Sequence, residues 1–435
     1  MKVLWITDSP RKQLSEILQL NKAQTVSGTW VDNAYEEAKK SEGLFIDFAA
    51  RSKKVKTGQV LHKEQNGIKG FLVHRKRISF GVPGGKADIN AWSRVIDESN
   101  PDIIQFFGTE SSFSYDVLRA LKKPIPIVVF CQGMLGIQCE YKFGGITNDP
   151  LLKLSLRERL SLFIPNIKYH FERKQIDLEK AVIKRTGFMI SDTNFVEEYY
   201  SLINPNLRFL TIPEPLNPLF LENTWNIAAS NRHTIFTVFG NSLNKGLLKL
   251  FEAVDMLKSE YPDIKVICPG PYKLDSNGHV KNRGRHSTFE LVASRYISEH
   301  HLEKNISFVG QLSPKQMVEQ LLRCHCFVNP SAMETQAGGL REALFVGVPT
   351  ITSLCGSVQE FVTHDKSSIV YRFDEPWSLA GAIKRIFDDD QLACFLGTNG
   401  KNEILKFYQA KKEFGTWKEL YQSIIEYEDK RSEKK

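Results

Sequence analysis

The stretch that decides the fold is residues 326–362, CFVNPSAMETQAGGLREALFVGVPTITSLCGSVQEFV. The short apolar run Cys326–Val328 predicts a buried strand, and a polar loop follows it. Beyond the loop, apolar residues at helical spacing predict a helix that is entered through Gly338-Gly339 and stopped by Gly347. Residues 348–351 then predict a second buried strand. Strand, loop, helix and strand in this order indicate a parallel βαβ unit.

Ligands of such units bind beyond the carboxyl ends of the strands. This rule places Glu334 at the ligand crevice and Glu342 further along the following helix. The first backbone amides of that helix, near Gly338 and Gly339, have no partner inside the helix and can bind an anion. The stretch therefore predicts a site that combines two carboxylates with an anion-binding helix start.

These residues resemble a known signature. Glu334 and Glu342 with seven residues between them, then Ala343 and the stop Gly347-x-Pro349, are similar to the acidic motif of retaining glycosyltransferases of family 4, of the polysaccharide-assembly type. The resemblance implies an α/β fold of two Rossmann-like domains facing across a cleft, the GT-B architecture. It also implies a C-terminal helix that crosses back to the N-terminal domain. The implied reaction is retaining transfer of a sugar, of the hexosyl type, from a nucleotide diphosphate sugar to a hydroxyl.

With 435 residues the chain exceeds one typical core, which favours two domains. The proline-rich stretch 212–218 lacks periodicity and is interpreted as the interdomain linker. The resulting division has three parts: residues 1–213 as an acceptor-binding domain, 214–405 as a nucleotide-sugar-binding domain, and 406–428 as the returning helix. We predict one continuous helix over residues 402–428, and residues 406–428 are the part of it that returns to the N-terminal domain.

Apolar runs in both halves predict further strands, several of which end in glycine turns where the family carries its functional loops. In the first half the resemblance implies an acceptor side made of Gly28, Thr29, Gly108, Glu110 and Gln132. Many family members have histidine where Gln132 stands. An amide donates and accepts hydrogen bonds but does not titrate.

In the second half the stretch Gly240–Gly246 is similar to the family's diphosphate clamp, in which Lys245 matches the clamp lysine and Asn241 replaces the usual arginine. The resemblance assigns donor binding to residues from four loops: Glu342, Gly338, Gly339, Ala337, Gly240, Asn241, Gly270, Val309, Gly310 and Leu312. It assigns catalysis to Glu334, facing the positive charge of the transition state, and to Lys245, facing the leaving diphosphate. No metal or other cofactor is expected.

Charge is divided unevenly along the chain. Residues 1–213 hold 31 Lys and Arg against 23 Asp and Glu, a net charge of +8, whereas residues 214–435 hold 27 of each. One-sided charge of this kind suggests an anionic partner. Residues 151–164 add an amphipathic basic stretch, which fits either a core-packed helix or one that rests on a membrane. We therefore expect a glycan or polyprenyl-diphosphate-linked acceptor, peripheral contact with an anionic membrane, and no nucleic acid.

The N-terminus, MKVLWITDSPRK, is too short an apolar run for a secretion signal, and no apolar run is long enough to cross a bilayer. The seven cysteines are an odd number and form no CxxC pair, which favours the cytosol. The expected location is cytoplasmic, with peripheral contact at the inner membrane face, in bacterial surface polysaccharide synthesis.

Two alternatives to the transferase remain at this stage. One is a sugar-nucleotide epimerase of GT-B fold, and the other is a catalytically silent partner that binds a glycan or lipid. Two clusters suggest metal sites but fit them poorly. Cys324-His325-Cys326 matches no zinc spacing, and Asp388-Asp389-Asp390 falls in a turn between two predicted helices. Both are interpreted as structural.

Overall fold

The computed structural model describes residues 1–20, 30–76, 82–144, 173–213, 217–237, 240, 242–281 and 286–433. Several predictions therefore lie outside the described residues: Gly28, Thr29, Asn241 and the stretch 151–164. The chain forms two compact units. Unit 1 comprises Met1–Gly136, His170–Leu216 and Ala410–Lys435, and unit 2 comprises Ile137–Tyr169 and Asn217–Gln409.

Unit 1 is built on an eight-stranded sheet with the order β3-β4-β2-β1-β5-β6-β7-β8. Its strands are β1 Lys2–Thr7, β2 Phe45–Ser52, β3 Val60–Gln65, β4 Ile68–His74, β5 Ile103–Phe107, β6 Ile127–Phe130, β7 Phe188–Ile190 and β8 Arg208–Leu210. Neighbouring strands are parallel except for β3 and β4. The edge strand β3 was not predicted. Asn66 and Gly67, both with positive φ, form the two-residue turn that joins it to β4, and Asn-Gly is a strong hairpin signal.

The helices of this part of the chain alternate with the strands, as parallel connections require. They are α1 Lys12–Leu18, α2 Trp30–Ala38, α3 Lys86–Ser99, α4 Phe113–Ala120, α5 Leu135–Glu140, α6 173–183 and α7 Asn194–Ile203.

Unit 2 contains a six-stranded, wholly parallel sheet with the order β11-β10-β9-β12-β13-β14. Its strands are β9 Thr234–Thr237, β10 Lys265–Pro269, β11 Ile306–Gly310, β12 Cys326–Asn329, β13 Thr350–Ser353 and β14 Ile369–Tyr371. In chain order this is 3-2-1-4-5-6, the doubly wound Rossmann arrangement. The strand order reverses between β9 and β12, which is the topological switch point where such sheets bind ligands.

Helices again connect the strands of unit 2. They are α8 Pro218–Glu222, α9 Leu247–Leu257, α10 Thr288–Glu299, α11 Pro314–Arg323, α12 Gly338–Val346, α13 Pro376–Asp388 and α14 Asp390–Ala410. Short 3-10 turns lie at Ile227–Ala229, Leu243–Lys245 and Val358–Glu360.

The decisive stretch folds as predicted into β12, α12 and β13. Gly347 has a φ of 81° and ends α12, with its N–H bonded to the carbonyls of Ala343 and Leu344. A left-handed residue at this position is the common helix stop for which glycine is best suited. No helix among the described residues has the length and apolar character needed to cross a membrane.

The single helix predicted over 402–428 is wrong. In the structure α14 ends at Ala410, and the final helix, α15, spans Trp417–Ser432. The break coincides with Gly415 and Thr416, and Thr416 forms a capping box with Glu419 at the start of α15. A capping box satisfies the first free amides of a new helix, so this local signal overrode the apolar periodicity.

The returning helix α15 is part of the core of unit 1. Trp417, Leu420, Tyr421 and Ile424 are buried in the same cluster as the β1 side chains. Trp5 Nε1 donates to the Tyr421 hydroxyl at 2.8 Å, and that hydroxyl donates to Gln105 Oε1 at 2.6 Å. The two hydrogen bonds tie α15 to the centre of the sheet.

We expect Tyr421→Phe to reduce the free energy of unfolding by about 1–3 kcal/mol, because it leaves the Trp5 donor and the Gln105 acceptor buried without their partner. Urea titration measures the change. Tyr427→Phe on the same helix, where the ring lies edge-on to Phe188, is the matched control and should cost less. An unchanged urea midpoint for Tyr421→Phe would show that α15 does not depend on this network.

Candidate active site

A cavity of about 230 Å³ lies at the switch point of unit 2. Its lining joins the ends of β9 and β12 to the start of α12: Thr237, Lys245, Met317, Phe327, Asn329, Glu334, Ala337, Gly338, Gly339, Leu340 and Glu342. The structure therefore brings together Glu334, Glu342, Lys245, Ala337 and the glycine pair, all of which the sequence had singled out.

The two predicted catalytic residues form an ion pair. Lys245 Nζ lies 2.7 Å from Glu334 Oε1, and the Glu334 residue is only 8% exposed. Lys245 ends the 3-10 turn after β9, and the next residue, Gly246, has a φ of 70°. A Cβ at Gly246 would lie 1.8 Å from the carbonyl oxygen of Pro330, so only glycine allows this close approach of the two loops.

Room for the lysine is provided by a second glycine. A Cβ at Gly240 would lie 2.5 Å from Lys245 Cγ. Tyr272 donates from its hydroxyl to the Gly240 carbonyl at 2.9 Å, which links the loop after β9 to the loop after β10. Sequence reasoning missed Tyr272, since an isolated tyrosine after a glycine turn carries no recognisable pattern.

The start of α12 presents backbone amides to the cavity. Ala337 precedes the helix in the left-handed conformation, and its side chain has no hydrogen-bonding group with which to cap the helix. Gly338 and Gly339 are the first two helical residues and line the cavity. First-turn amides and the helix dipole together favour an anion at this point.

The loop that carries Glu334 rests on the turn after β13. Ser357 N donates to the Glu334 carbonyl at 3.2 Å, and the Ser357 hydroxyl donates to the Thr335 carbonyl at 2.6 Å. A Cβ at Gly356 would lie 1.7 Å from the Glu334 carbonyl oxygen. Gly356 and Ser357 are positioning residues for the glutamate, a role that the sequence pattern alone did not reveal.

The other predicted donor-side residues lie at the same edge of the sheet but outside the lining of this cavity. They are Gly240, Gly270, Val309, Gly310 and Leu312. Gly270 N donates to the Gly310 carbonyl at 2.7 Å, so the loops after β10 and β11 are joined. Thr237, Met317, Phe327, Asn329 and Leu340 line the cavity and were missed. Thr237 and Asn329 could have been predicted, because each is the last residue of a strand at the switch point, where such sheets bind ligands.

In unit 1, three predicted acceptor-side residues converge at the carboxyl ends of β5 and β6. Gly108 has a φ of 81°, and a Cβ there would lie 2.1 Å from Glu110 Oε2 and 3.1 Å from Gln132 Oε1. Burial raises the pKa of Glu110 to about 8, and the nearby carboxylates of Glu179 and Asp8 act in the same direction.

The same edge of unit 1 holds some of the basic residues that give residues 1–213 their positive net charge. Arg51 is buried and pairs with Asp8, and Arg75 lies 2.8 Å from the other Asp8 oxygen. Burial would raise the pKa of Asp8, but the charges of Arg51 and Arg75 outweigh it and hold that pKa below its ordinary value. These two arginines are therefore engaged within the unit, whereas Lys53, Lys54 and Lys56 are exposed.

The doubly wound sheet of unit 2 carries a pocket with both basic and acidic side chains at its switch point. Residues 225–403 match the family described as "Glycosyl transferases group 1". This segment, which holds the whole cavity, is similar to that family, and the two-sheet α/β fold of the chain is the GT-B fold.

Individual proteins are similar to this chain in sequence or in fold. An uncharacterized glycosyltransferase of Bacillus subtilis (strain 168), YqgM, is 23% identical over 219 residues, which span 50% of this chain and 56% of that protein. Sucrose-phosphate synthase of Thermosynechococcus elongatus matches all of both chains with a TM-score of 0.67 and 14% identity. Anabaena Alr3699/HepE, solved with UDP and glucose, matches 94% of this chain and 98% of its own with a TM-score of 0.60 and 13% identity.

The raised pKa of Glu110 predicts how the free energy of unfolding depends on pH. Its folded-state pKa lies above the unfolded value, so the free energy of unfolding falls as pH rises from about 4.5 to about 8. Glu110→Gln removes the ionising group. Urea unfolding at pH 5 and at pH 8.5 gives the difference in free energy of unfolding between the variant and wild type. We expect this difference to shift in favour of the variant by about 1–3 kcal/mol from the lower to the higher pH. A difference that does not change with pH would place Glu110 in a solvated environment.

Proposed function

We propose that the protein is a retaining glycosyltransferase that moves a sugar from a nucleotide diphosphate sugar to a hydroxyl of a glycan or lipid-linked acceptor. The observation that carries the proposal is the cavity at the switch point, where Lys245, Glu334, Glu342 and the start of α12 meet. The HepE structure with UDP and glucose, which shares the fold, supports a nucleoside diphosphate sugar as donor.

The diphosphate of the donor is proposed to bind between Lys245 and the first amides of α12, because both offer positive charge to the same cavity. A phosphate group at Lys245 competes with Glu334 for the ammonium group, since the two now lie 2.7 Å apart. Donor binding would then release the Glu334 carboxylate to face the sugar. Glu342, on the helix that starts at the diphosphate, is proposed to accept hydrogen bonds from the ribose hydroxyls.

In the reaction, the bond between the anomeric carbon and the diphosphate oxygen breaks while a bond to the acceptor oxygen forms. The acceptor proton is proposed to pass to the departing phosphate oxygen. Positive charge develops on the sugar ring, and Glu334 stabilises it. Charge on the leaving group is met by Lys245 and by the helix amides.

We propose that no divalent metal is required, because Lys245 and the helix amides can neutralise the leaving group. The aspartate triplet 388–390 supports this proposal. It lies at the junction of α13 and α14, where Asp388 accepts a hydrogen bond from Tyr261 and Asp390 pairs with Arg232. Asp388 and Asp390 therefore make structural contacts with other residues of the unit.

The acceptor is proposed to bind at the carboxyl edge of unit 1, near Gly108, Glu110 and Gln132. We further propose a role in surface polysaccharide synthesis at the inner membrane face, with a polyprenyl-diphosphate-linked saccharide as acceptor. The net charge of +8 over residues 1–213 supports contact with an anionic surface. Among these basic residues, the exposed Lys53, Lys54 and Lys56 are better placed for membrane contact than Arg75, which pairs with Asp8.

Glu334→Gln is expected to abolish transfer while leaving the fold intact, because the amide cannot stabilise positive charge. A loss of about 2–4 kcal/mol in transition-state stabilisation is typical for one such group. The assay follows release of nucleoside diphosphate from a panel of nucleotide sugars, with and without EDTA. Glu252→Gln, which removes a partly buried ion pair with Lys249, is the control. Near-normal turnover in Glu334→Gln, or loss of wild-type turnover in EDTA, would contradict the proposed chemistry.

Lys245→Ala should weaken binding of UDP far more than binding of uridine, because the lysine is assigned to the diphosphate alone. Calorimetry with both ligands measures the two losses. Lys249→Ala is the matched control, since Lys249 lies four residues further on and pairs with Glu252 instead. Equal losses for UDP and uridine would remove Lys245 from the phosphate site.

Membrane contact is tested by cosedimentation with vesicles. Binding is expected with anionic but not with neutral lipid, and salt should weaken it, because each basic residue near an anionic surface contributes about 1 kcal/mol. Changing Lys53, Lys54 and Lys56 together to Ser should reduce binding. The same change at the exposed Lys265, Lys304 and Lys315 of unit 2 should not. Equal binding to neutral lipid would exclude an electrostatic contact.

A further inference from the structure

A concavity of about 420 Å³ lies in unit 1 at the amino ends of β6 and β7, the opposite end of these strands from Gln132. The last turns of α15 contribute to it. Its lining comprises residues 124–127, 184–188, Asn204, Asn206, Glu428, Arg431 and Ser432. The volume is typical of small-molecule sites. Because parallel sheets bind their usual ligands beyond the carboxyl ends of the strands, this concavity is separate from both candidate sites of the proposed reaction.

One wall of the concavity is apolar and stiff. Ile125, Ile127 and Phe188 are buried in the sheet layer. Pro124 is exposed and Pro126 is half-buried, and the two prolines alternate with the isoleucines along the chain. A proline ring fixes the φ angle of its residue. The concavity therefore offers preformed apolar surface to the body of a ligand.

Positive charge converges on the concavity from two distant parts of the chain. Lys184 and Arg185 follow α6, whereas Arg431 lies on α15. Arg185 Nη2 donates to the Leu118 carbonyl at 3.3 Å, which positions the guanidinium group and leaves its remaining N–H groups for a ligand. In the part of the chain that the structure describes, neither Lys184 nor Arg185 forms an ion pair with a carboxylate. Their charge is therefore not neutralised within the unit.

One carboxylate accompanies the three cations among the described residues of the lining. Glu428 Oε1 lies 3.5 Å from Arg431 Nη1 and 3.7 Å from the place of a Cβ at Gly187, so this pair lies beside the start of β7. Three basic side chains against one acidic side chain leave a local charge of +2. Like charges gathered in one concavity repel one another, and a bound anion relieves that repulsion.

We propose that this concavity binds the phosphate group of a small organic phosphate. Lys184, Arg185 and Arg431 bind the phosphate oxygens, to which the forked guanidinium groups offer paired N–H donors. Pro124 and Pro126 contact the less polar part of the ligand. The inference goes beyond the proposed function and does not depend on it, because the concavity shares no residue with the cavity of unit 2 or with the proposed acceptor side.

Calorimetry on the full chain at pH 8 tests the proposal with phenyl phosphate, which carries a doubly ionised phosphate group and an apolar ring. Saturable binding is expected, tighter than that of inorganic phosphate and weakened by salt. Arg185→Ala should raise the Kd about tenfold, because it removes a charge-assisted hydrogen bond. The matched control is Arg94→Ala on α3, since Arg94 is also exposed and also donates to a backbone carbonyl, that of Gly58.

A gain of binding separates the proposal from general damage. Glu428→Gln should lower the Kd about threefold, because it removes the carboxylate that competes for Arg431, and damage to the fold does not tighten binding. Lys245→Ala concerns the cavity of unit 2 and should leave the Kd for phenyl phosphate unchanged. Failure of this phosphate site and failure of the proposed transferase therefore give different results.

Vesicles distinguish a lipid headgroup from a soluble ligand as the source of the phosphate. Phosphatidic acid presents the same phosphate monoester, whereas phosphatidylserine at matched surface charge does not. If a lipid is the source, cosedimentation with phosphatidic acid should exceed that with phosphatidylserine and should fall in Arg185→Ala. If the source is soluble, phenyl phosphate binds as described and the two kinds of vesicle behave alike.

The proposal is overturned if phenyl phosphate does not bind saturably, or if Arg94→Ala raises the Kd as much as Arg185→Ala. It is also overturned if Glu428→Gln weakens binding, or if Lys245→Ala abolishes it. The last result would place the probe in the cavity of unit 2.

Discussion

The ion pair between Lys245 and Glu334 is the interaction on which the candidate site depends. A carboxylate that is only 8% exposed needs a charged partner, because an unpaired buried charge costs several kcal/mol. The pair joins the loop after β9 to the loop after β12, the two strands that flank the switch point of the sheet. Under the proposed function, a phosphate group that enters the cavity competes with Glu334 for Lys245. The proposal therefore couples the stability of the site and its affinity for an anion through one lysine.

Close backbone packing makes that pair possible. Gly246 meets the carbonyl of Pro330, and Gly356 meets the carbonyl of Glu334, at distances that leave no space for a Cβ. Ser357 then fixes the glutamate loop through two hydrogen bonds. Unit 1 uses a similar device, since Gly108 lets Glu110 and Gln132 approach each other while Glu179 holds both loops. In each unit the candidate side chains lie at the carboxyl ends of parallel strands, supported by glycines and buried polar groups.

The sequence was most informative where pattern and motif agreed. Residues 326–353 were assigned correctly as strand, helix and strand, and the cavity residues Glu334, Glu342 and Lys245 came from motif spacing. Supporting residues such as Glu179 and Tyr272 were not found, because each acts on a residue far away in sequence and leaves no local pattern. The final helix was mispredicted because apolar periodicity continues through the capping box at Thr416. Strand β3 was missed because its exposed side chains lack a buried face, although Asn66-Gly67 marked its turn.

The central claim is that the switch point of unit 2 is the binding site for a nucleoside diphosphate. Hydrogen–deuterium exchange of the full chain with and without UDP tests it most directly, because it maps the bound amides without assuming an activity. The account predicts slower exchange at the start of α12, Gly338–Leu340, and in the turn Leu243–Gly246, with both effects lost in Lys245→Ala. Protection confined to other segments, or protection of α12 that persists unchanged in Lys245→Ala, would contradict it.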